Sequence, residues 1–172
     1  MKIMKKYISL AFMAIALTFG FTSCCVETNE EPGGTNVEKM AGRWNVMVDA
    51  VDESGNVVYK DPYHLGEFEI RTYNTADNST TKMWLDDLGD FWSFKMKVDV
   101  NYIARTFSCA EQDYDAKGSG TAVVTDGKIL EEAAKNLHGM PNDSIVFNIK
   151  FSDDDNGLIY RVSGQRYTGF YE

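Results

Sequence analysis

Between residues 91 and 101 the chain reads FWSFKMKVDVN, in which Trp92, Phe94, Met96, Val98 and Val100 alternate with Ser93, Lys95, Lys97, Asp99 and Asn101. Successive side chains of a β-strand point to opposite faces, so this spacing sends the apolar groups to one side and the polar groups to water. At about 3.3 Å per residue the segment would reach roughly 35 Å, longer than an average strand and close to one wall of a curled antiparallel sheet. One face is hidden, and the rest of the chain must cover it.

The same period recurs on both sides. Trp44, Val46, Val48 and Ala50 alternate with Arg43, Asn45, Met47 and Asp49, and Glu53, Ser54, Gly55 and Asn56 then form a turn that lets residues 57–60 return alongside. Phe68, Ile70 and Thr72 mark a third strand and residues 81–85 a fourth, with further strands expected at 104–110 and 121–125. Two readings compete for KILEEAAKNLHGMP. Ile129, Ala133 and Leu137 share one face of a helix that would stop at Gly139, whereas Asp126 and Gly127 between apolar runs signal a two-residue hairpin, with 128–132 a strand. The hairpin is favoured. A closing hairpin pairs Ile145, Phe147, Ile149 and Phe151 with residues 158–170 across a turn at Asp154, Asp155, Asn156 and Gly157. Eight to ten sequential antiparallel strands predict an all-β barrel or closed sandwich, because closure removes exposed edges. Aromatic content of 13% and only 3 Pro suit such a sheet-rich chain, and the length left after a leader is that of one domain.

Residues 1–23 carry Lys2, Lys5 and Lys6, then the apolar run ISLAFMAIALTFGF, then Thr22 and Ser23. The run is short for a membrane span and ends at small residues, the pattern of an export signal. FTSC resembles a bacterial lipoprotein box with Phe21 where Leu is more usual. The resemblance implies that Cys24 becomes the first mature residue and carries acyl chains, each buried methylene contributing about 0.8 kcal/mol to anchoring. Residues 24–39, polar and broken by Pro32, Gly33 and Gly34, read as a tether, and residues 40–172 as the barrel domain. Glu27, Glu30 and Glu31 beside the cysteine resemble signals that send lipoproteins to the outer face of the outer membrane. The formal charge of -9 falls to about -12 without the leader, which argues against nucleic acid and anionic membrane as surfaces gripped by charge.

Reactive residue types are sparse. His64 and His138 are the only imidazoles and neither has a carboxylate at ligand spacing, so no metal is expected. No G-x-S-x-G elbow occurs. Cys109 is the one thiol of the folded part and reads as a buried, inert group. The run from Asp153 to Gly157 superficially suggests a calcium loop, but the register that puts Gly157 at the sharp turn begins on Ser152 and ends on Ser163, where carboxylates are needed. Trp44, Trp84, Trp92, Phe94 and Met96 are the apolar groups expected to line a cavity, if a barrel of this size keeps room for a ligand and does not fill with side chains.

Gly42-Arg43-Trp44, the segment from Gly127 to Leu130 with Ala133 and Ala134, GMPNDSIVFNIKFSDD and the closing VSGQRYTGF together resemble the family of lipid-binding putative hydrolases, exported lipoproteins of Gram-negative anaerobes. The Gly-x-Trp at the first strand also resembles that of lipocalins. The resemblance implies a lipocalin-like (calycin-like) barrel in which Trp44 plugs the closed end near Arg161 or Arg166, and it favours strand over helix after Gly127; it supplies no catalytic residue. The expected function is a lipid-anchored outer-membrane lipoprotein, at the cell surface or periplasmic face, whose barrel binds a lipid or other small apolar ligand without a cofactor. A lipid or ester hydrolase is the alternative, needing for instance Ser93 or Ser108 near His64. A second alternative is an adhesion or assembly partner that works through its loops, with the barrel filled solid.

Overall fold

The computed structural model describes residues 34–169. The leader, Cys24 and the first part of the tether lie outside the described residues. The elements are all strands: β1 (Gly42–Val51), β2 (Val57–Lys60), β3 (Phe68–Asn74), β4 (Lys82–Asp86), β5 (Lys95–Asn101), β6 (Thr106–Asp113), β7 (Thr121–Lys135), β8 (Pro141–Phe151) and β9 (Ile159–Arg166). Each pairs antiparallel with its neighbour in the order β2-β1-β3-β4-β5-β6-β7-β8-β9, and β9 returns to β1. That last ladder runs from Trp44 opposite Arg166 to Val51 opposite Ile159 and closes the wall. Strands β1 and β3 to β9 therefore form an eight-stranded antiparallel barrel of the lipocalin-like kind. Strand β2 is additional: β3 occupies one edge of β1 from Gly42 to Val46, and β2 takes the same edge from Asp49 to Val51.

Alternation fixes which side chains face inward. Trp44, Val46, Val48 and Ala50 of β1 are fully buried, and Met83 and Leu85 of β4, Met96 and Val98 of β5, Ile145, Phe147 and Ile149 of β8 and Tyr160 and Val162 of β9 join them in one contiguous core. Two glycines permit the close approach of strands. A Cβ on Gly164 would stand 1.9 Å from the Asn45 carbonyl oxygen, and one on Gly127 would stand 2.4 Å from that of Phe107. No side chain fits at either position.

Three expectations are corrected. The strand at 91–101 begins at Lys95, because residues 87–94 fold into a loop: the buried Asp87 carboxylate accepts the N–H groups of Gly89, Phe91, Trp92 and Ser93, and Ser93 takes a positive φ of 58°. Alternation persists from Phe94 onward, but Trp92 lies in the loop and not on the strand. Asp126 and Gly127 do not turn the chain. A two-residue hairpin needs its flanking strands to pair with each other; here they run on as the single 15-residue strand β7, paired to β6 on one edge and β8 on the other. Asp126, with φ of 57°, marks a bulge where the register to β8 shifts between Thr125 and Lys128. The helical reading fails with it, since Ile129 is buried while Leu137, on the same helical face, is 78% exposed. Finally, Val37 and Met40 are buried in the core, so the folded unit reaches back into the segment expected to be a tether.

Candidate functional site

The two ends of the barrel are closed by different chemistry. At the end where β1 begins and β9 finishes, the Trp44 ring is fully buried and its indole Nε1 donates to Thr72 Oγ1 at 2.8 Å, while that hydroxyl donates to the Met40 carbonyl at 2.6 Å. The Arg166 guanidinium lies over the ring, 4.3 Å from its centroid, and donates to the carbonyls of Ala41 at 2.6 Å and Lys39 at 3.1 Å. Asp143 pairs with it at 3.2 Å. With Val37 and Met40 packed beneath, the 36–40 turn is pinned across this end. Arg166 is thus the partner of the Trp44 plug, whereas Arg161 sits on the outer face and donates to Asn148 at 3.4 Å.

At the other end the loops 61–67, 87–94 and 152–158 converge, and aromatic rings do the closing. Trp92 stacks on Phe151 with centroids 4.6 Å and planes 7° apart, and Phe91 meets Tyr160 edge-on at 5.2 Å and Phe151 at 5.8 Å. Tyr63 adds contacts at about 6 Å to Phe91, Trp92 and Tyr160. Hydroxyls and carboxylates complete the cap. The Tyr63 and Tyr160 hydroxyls are 2.7 Å apart, Tyr160 donates to Asp154 at 2.9 Å, and Asp153 accepts from Tyr114 at 2.8 Å and from the Trp92 indole at 3.2 Å. Burial, reinforced by Asp153, pushes the Tyr114 phenol up to about 12, and burial with Tyr63 and Asp154 raises that of Tyr160. Both phenols stay neutral donors in the physiological range. Burial also raises the Asp154 carboxyl, but the N–H groups of Leu158 and Asn156 and the Tyr160 hydroxyl outweigh it, and the net shift is downward.

Between these ends, buried side chains of the described residues form one contiguous core, and clefts of about 450–690 Å³ open on the outside of the wall. The five groups expected to line a cavity are therefore dispersed. Trp44 belongs to the plug. Trp92 and Phe94 meet on Phe151 at the cap, and Met96 lies in the core below. Trp84 does not face the interior: its neighbours Met83 and Leu85 point inward, so it points out and stacks on Tyr73. Sequence reasoning missed Tyr63, Phe91, Phe151 and Tyr160. Of these Phe151 was visible as an inward position of a strand, while Tyr63 and Phe91 sit in loops without periodicity.

Among the described residues, the serines and histidine considered for hydrolysis are not brought together. Ser108 stands opposite Asp99 on the outer face, Ser93 lies in the 87–94 loop with its N–H on Asp87, and His64 ends a turn on Asp61. Asp87 is fully buried, and burial, outweighing its four N–H donors, raises its carboxyl; yet each oxygen is already engaged by the loop. Cys109 is a buried free thiol, raised by burial. Among the described residues no group of three His, Cys, Asp or Glu is placed to hold a metal ion.

No curated protein matches the chain. Among solved structures, a structural-genomics protein of unknown function from Bacteroides ovatus shares 13% identity over 76% of this chain, with a TM-score of 0.45; the match spans 43% of that protein's length. Residues 29–171 match the family described as lipid-binding putative hydrolase, and by that match, which covers both the Trp44 plug and the aromatic cap, the chain belongs to this family.

Proposed function

We propose that the protein is a binding module, not a catalyst, which takes the apolar part of a lipid-like molecule beneath the aromatic cap and is held in the bacterial envelope through lipidated Cys24. The observation that carries this reading is the cap itself. Tyr63, Phe91 and Trp92 come from two loops and close over Phe151 and Tyr160 through their rings, so an acyl chain entering there exchanges one apolar neighbour for another. Opening breaks few backbone bonds between the loops, and the phenols of Tyr63 and Tyr160 are placed to meet a polar head. Membership of a lipid-binding family supports the ligand class.

The test is extraction of the purified full-length protein followed by mass spectrometry, together with titration of a long-chain fatty acid monitored by tryptophan fluorescence. Co-purified lipid and a saturable fluorescence response are expected, and Trp92→Ala, which removes the reporting indole, is expected to purify without the lipid as read by mass spectrometry. The filled interior favours a second reading, an adhesion or assembly partner that works through its loops. Absence of apolar material with no fluorescence response would shift the conclusion to that reading.

A further inference from the structure

The outer face of β3, β4 and β5 carries a feature that barrel closure does not need. Solvated faces of antiparallel sheets are normally polar, yet Tyr73 and Trp84, cross-strand partners, stack with centroids 6.5 Å and planes 28° apart. The Lys95 ammonium stands 5.6 Å from the Tyr73 centroid and 5.5 Å from that of Trp84, and Lys97 stands 5.1 Å from Trp84. Tyr73 donates to Asp86 at 2.8 Å, and Lys95 lies 3.5 Å from the same carboxylate. Beside the Tyr73 ring opens a cleft of about 690 Å³, walled by Arg43, Arg71, Tyr73, Asp86, Leu88 and Lys95, with Trp84 adjoining it through its stack on Tyr73. Within a chain of net charge -9, this patch gathers Arg43, Arg71, Lys95 and Lys97 around the carboxylates of Glu69 and Asp86.

We propose that this cleft binds an acidic saccharide. The C–H face of a pyranose lies against the Tyr73 and Trp84 rings, its carboxylate or sulfate is held by Arg71 and Lys95, and Asp86 accepts a ring hydroxyl. Charge decides the sign of the ligand, since a cationic concavity on an otherwise acidic protein is where an anion is drawn. Shape decides its kind. A bilayer also recruits Trp, Tyr and Lys, but it needs apolar side chains that project, whereas here both rings are half-buried beside a concavity of small-ligand size. The site does not require the barrel to open, although Leu88 in its wall belongs to the 87–94 loop of the cap.

The full-length protein is titrated with a glucuronate-containing tetrasaccharide, a sulfated tetrasaccharide, a neutral chitin tetrasaccharide and phosphatidylglycerol vesicles, with the Trp84 indole N–H resonance as the readout. At least one acidic saccharide is expected to shift that resonance saturably, with affinity falling as salt rises, and the neutral sugar is expected to bind about tenfold more weakly, a difference of about 1.4 kcal/mol. Arg71→Gln, followed by the same resonance, and, separately, Trp84→Ala, followed by titration calorimetry because it removes the reporting indole, should each weaken binding while the melting temperature stays near that of the wild type. A silent Trp84 resonance with both acidic probes, equal affinity for the neutral sugar, or vesicle binding that disappears in Trp84→Ala would each overturn the assignment. If Trp84→Ala unfolds the barrel, Arg71→Gln alone decides.

Discussion

Replacing Asp87 by Asn tests what ends the β5 strand and shapes the cap. In the native loop one carboxylate oxygen accepts the Gly89 N–H at 3.0 Å, and the other accepts those of Phe91, Trp92 and Ser93 at 3.2, 2.8 and 2.9 Å; the Asp87 N–H itself reaches the Phe94 carbonyl at 3.1 Å. Asn can serve the three-donor side with its single oxygen, but its amide then faces the Gly89 N–H. Gly89 is exposed and water can replace its acceptor, so the stranded group is the buried Asn amide, at about 1–3 kcal/mol, and bonds to a neutral acceptor are roughly half as strong as those to a charge. Removing a buried charge offsets part of this, as the raised carboxyl indicates. The net is a loss of about 2 kcal/mol, or a fall in melting temperature of roughly 5–8 °C for a domain of this size. Because the folded carboxyl is raised above its unfolded value, the stability it contributes is complete below the unfolded pKa and declines as pH rises through the folded one; the gap between wild type and Asp87→Asn should narrow over that interval. The assays are thermal melting across pH, near-ultraviolet circular dichroism for Trp92 and hydrogen exchange at residues 91–93. A variant that melts with the wild type and keeps those amides protected would refute the clamp.

Three further perturbations address the wall and the plug. Arg166→Met removes the donors to the Ala41 and Lys39 carbonyls and the ion pair with Asp143, and should cost about 2–3 kcal/mol by denaturant titration, while Arg161→Met on the outer face should cost little. Gly164→Ala, whose Cβ would meet the Asn45 carbonyl and the Val46 backbone, should destabilise by about 3 kcal/mol or more, read as loss of the cooperative melt. Glu69 is held below the usual carboxylate range, first by the hydrogen bond from Arg43 and then by Arg71. Its contribution is therefore present above the unfolded value and lost as pH falls through the folded one; since both arginines are half-exposed, Glu69→Gln should remove only about 0.5–1 kcal/mol at neutral pH and flatten the acid limb of the stability profile.

What could be read from the chain before folding follows from where side-chain period carries information. Strands with one wet and one dry face announce themselves, and β1, β3, β8 and the part of β5 from Phe94 onward were legible for that reason. The Trp44 plug was legible only through family resemblance, which left Arg161 and Arg166 both open as its partner, because nothing in spacing links positions so far apart. Asp126-Gly127 misled because the same dipeptide suits a hairpin turn and a bulge, and the choice depends on whether neighbouring strands, here β6 and β8, wait on both edges. The Asp87 clamp was invisible for a related reason: the pattern from Trp92 to Val100 alternates without a break, and only the four backbone donors gathered by one carboxylate interrupt it. Trp84 was misplaced by residue type alone. Its strand is short, and the parity set by Met83 and Leu85 places it outside.

The different closures at the two ends also assign a direction to the barrel. At the plug, Arg166 is tied to two backbone carbonyls and a carboxylate, and Trp44 Nε1 and Thr72 Oγ1 form a buried relay to Met40; withdrawing the 36–40 turn would strand polar groups that water reaches only after the core opens. At the cap, the polar partners of the rings are Asp153 and Asp154, in a turn at the surface, and Tyr63 is 42% exposed. Displacing Trp92 hands part of Asp153 to water while Tyr114 keeps the rest, and displacing Tyr63 leaves the Tyr160 hydroxyl on Asp154, so the polar cost is small; under the proposed function an apolar guest would take the place of the two rings against Phe151 and Tyr160. Local opening is therefore easier at the cap than at the plug, and under the proposed function a ligand would enter between the 61–67 and 87–94 loops. The Asp87 clamp makes the second of these loops move as a unit, since its four N–H donors share one acceptor group and cannot be released singly without leaving a buried carboxylate short of partners.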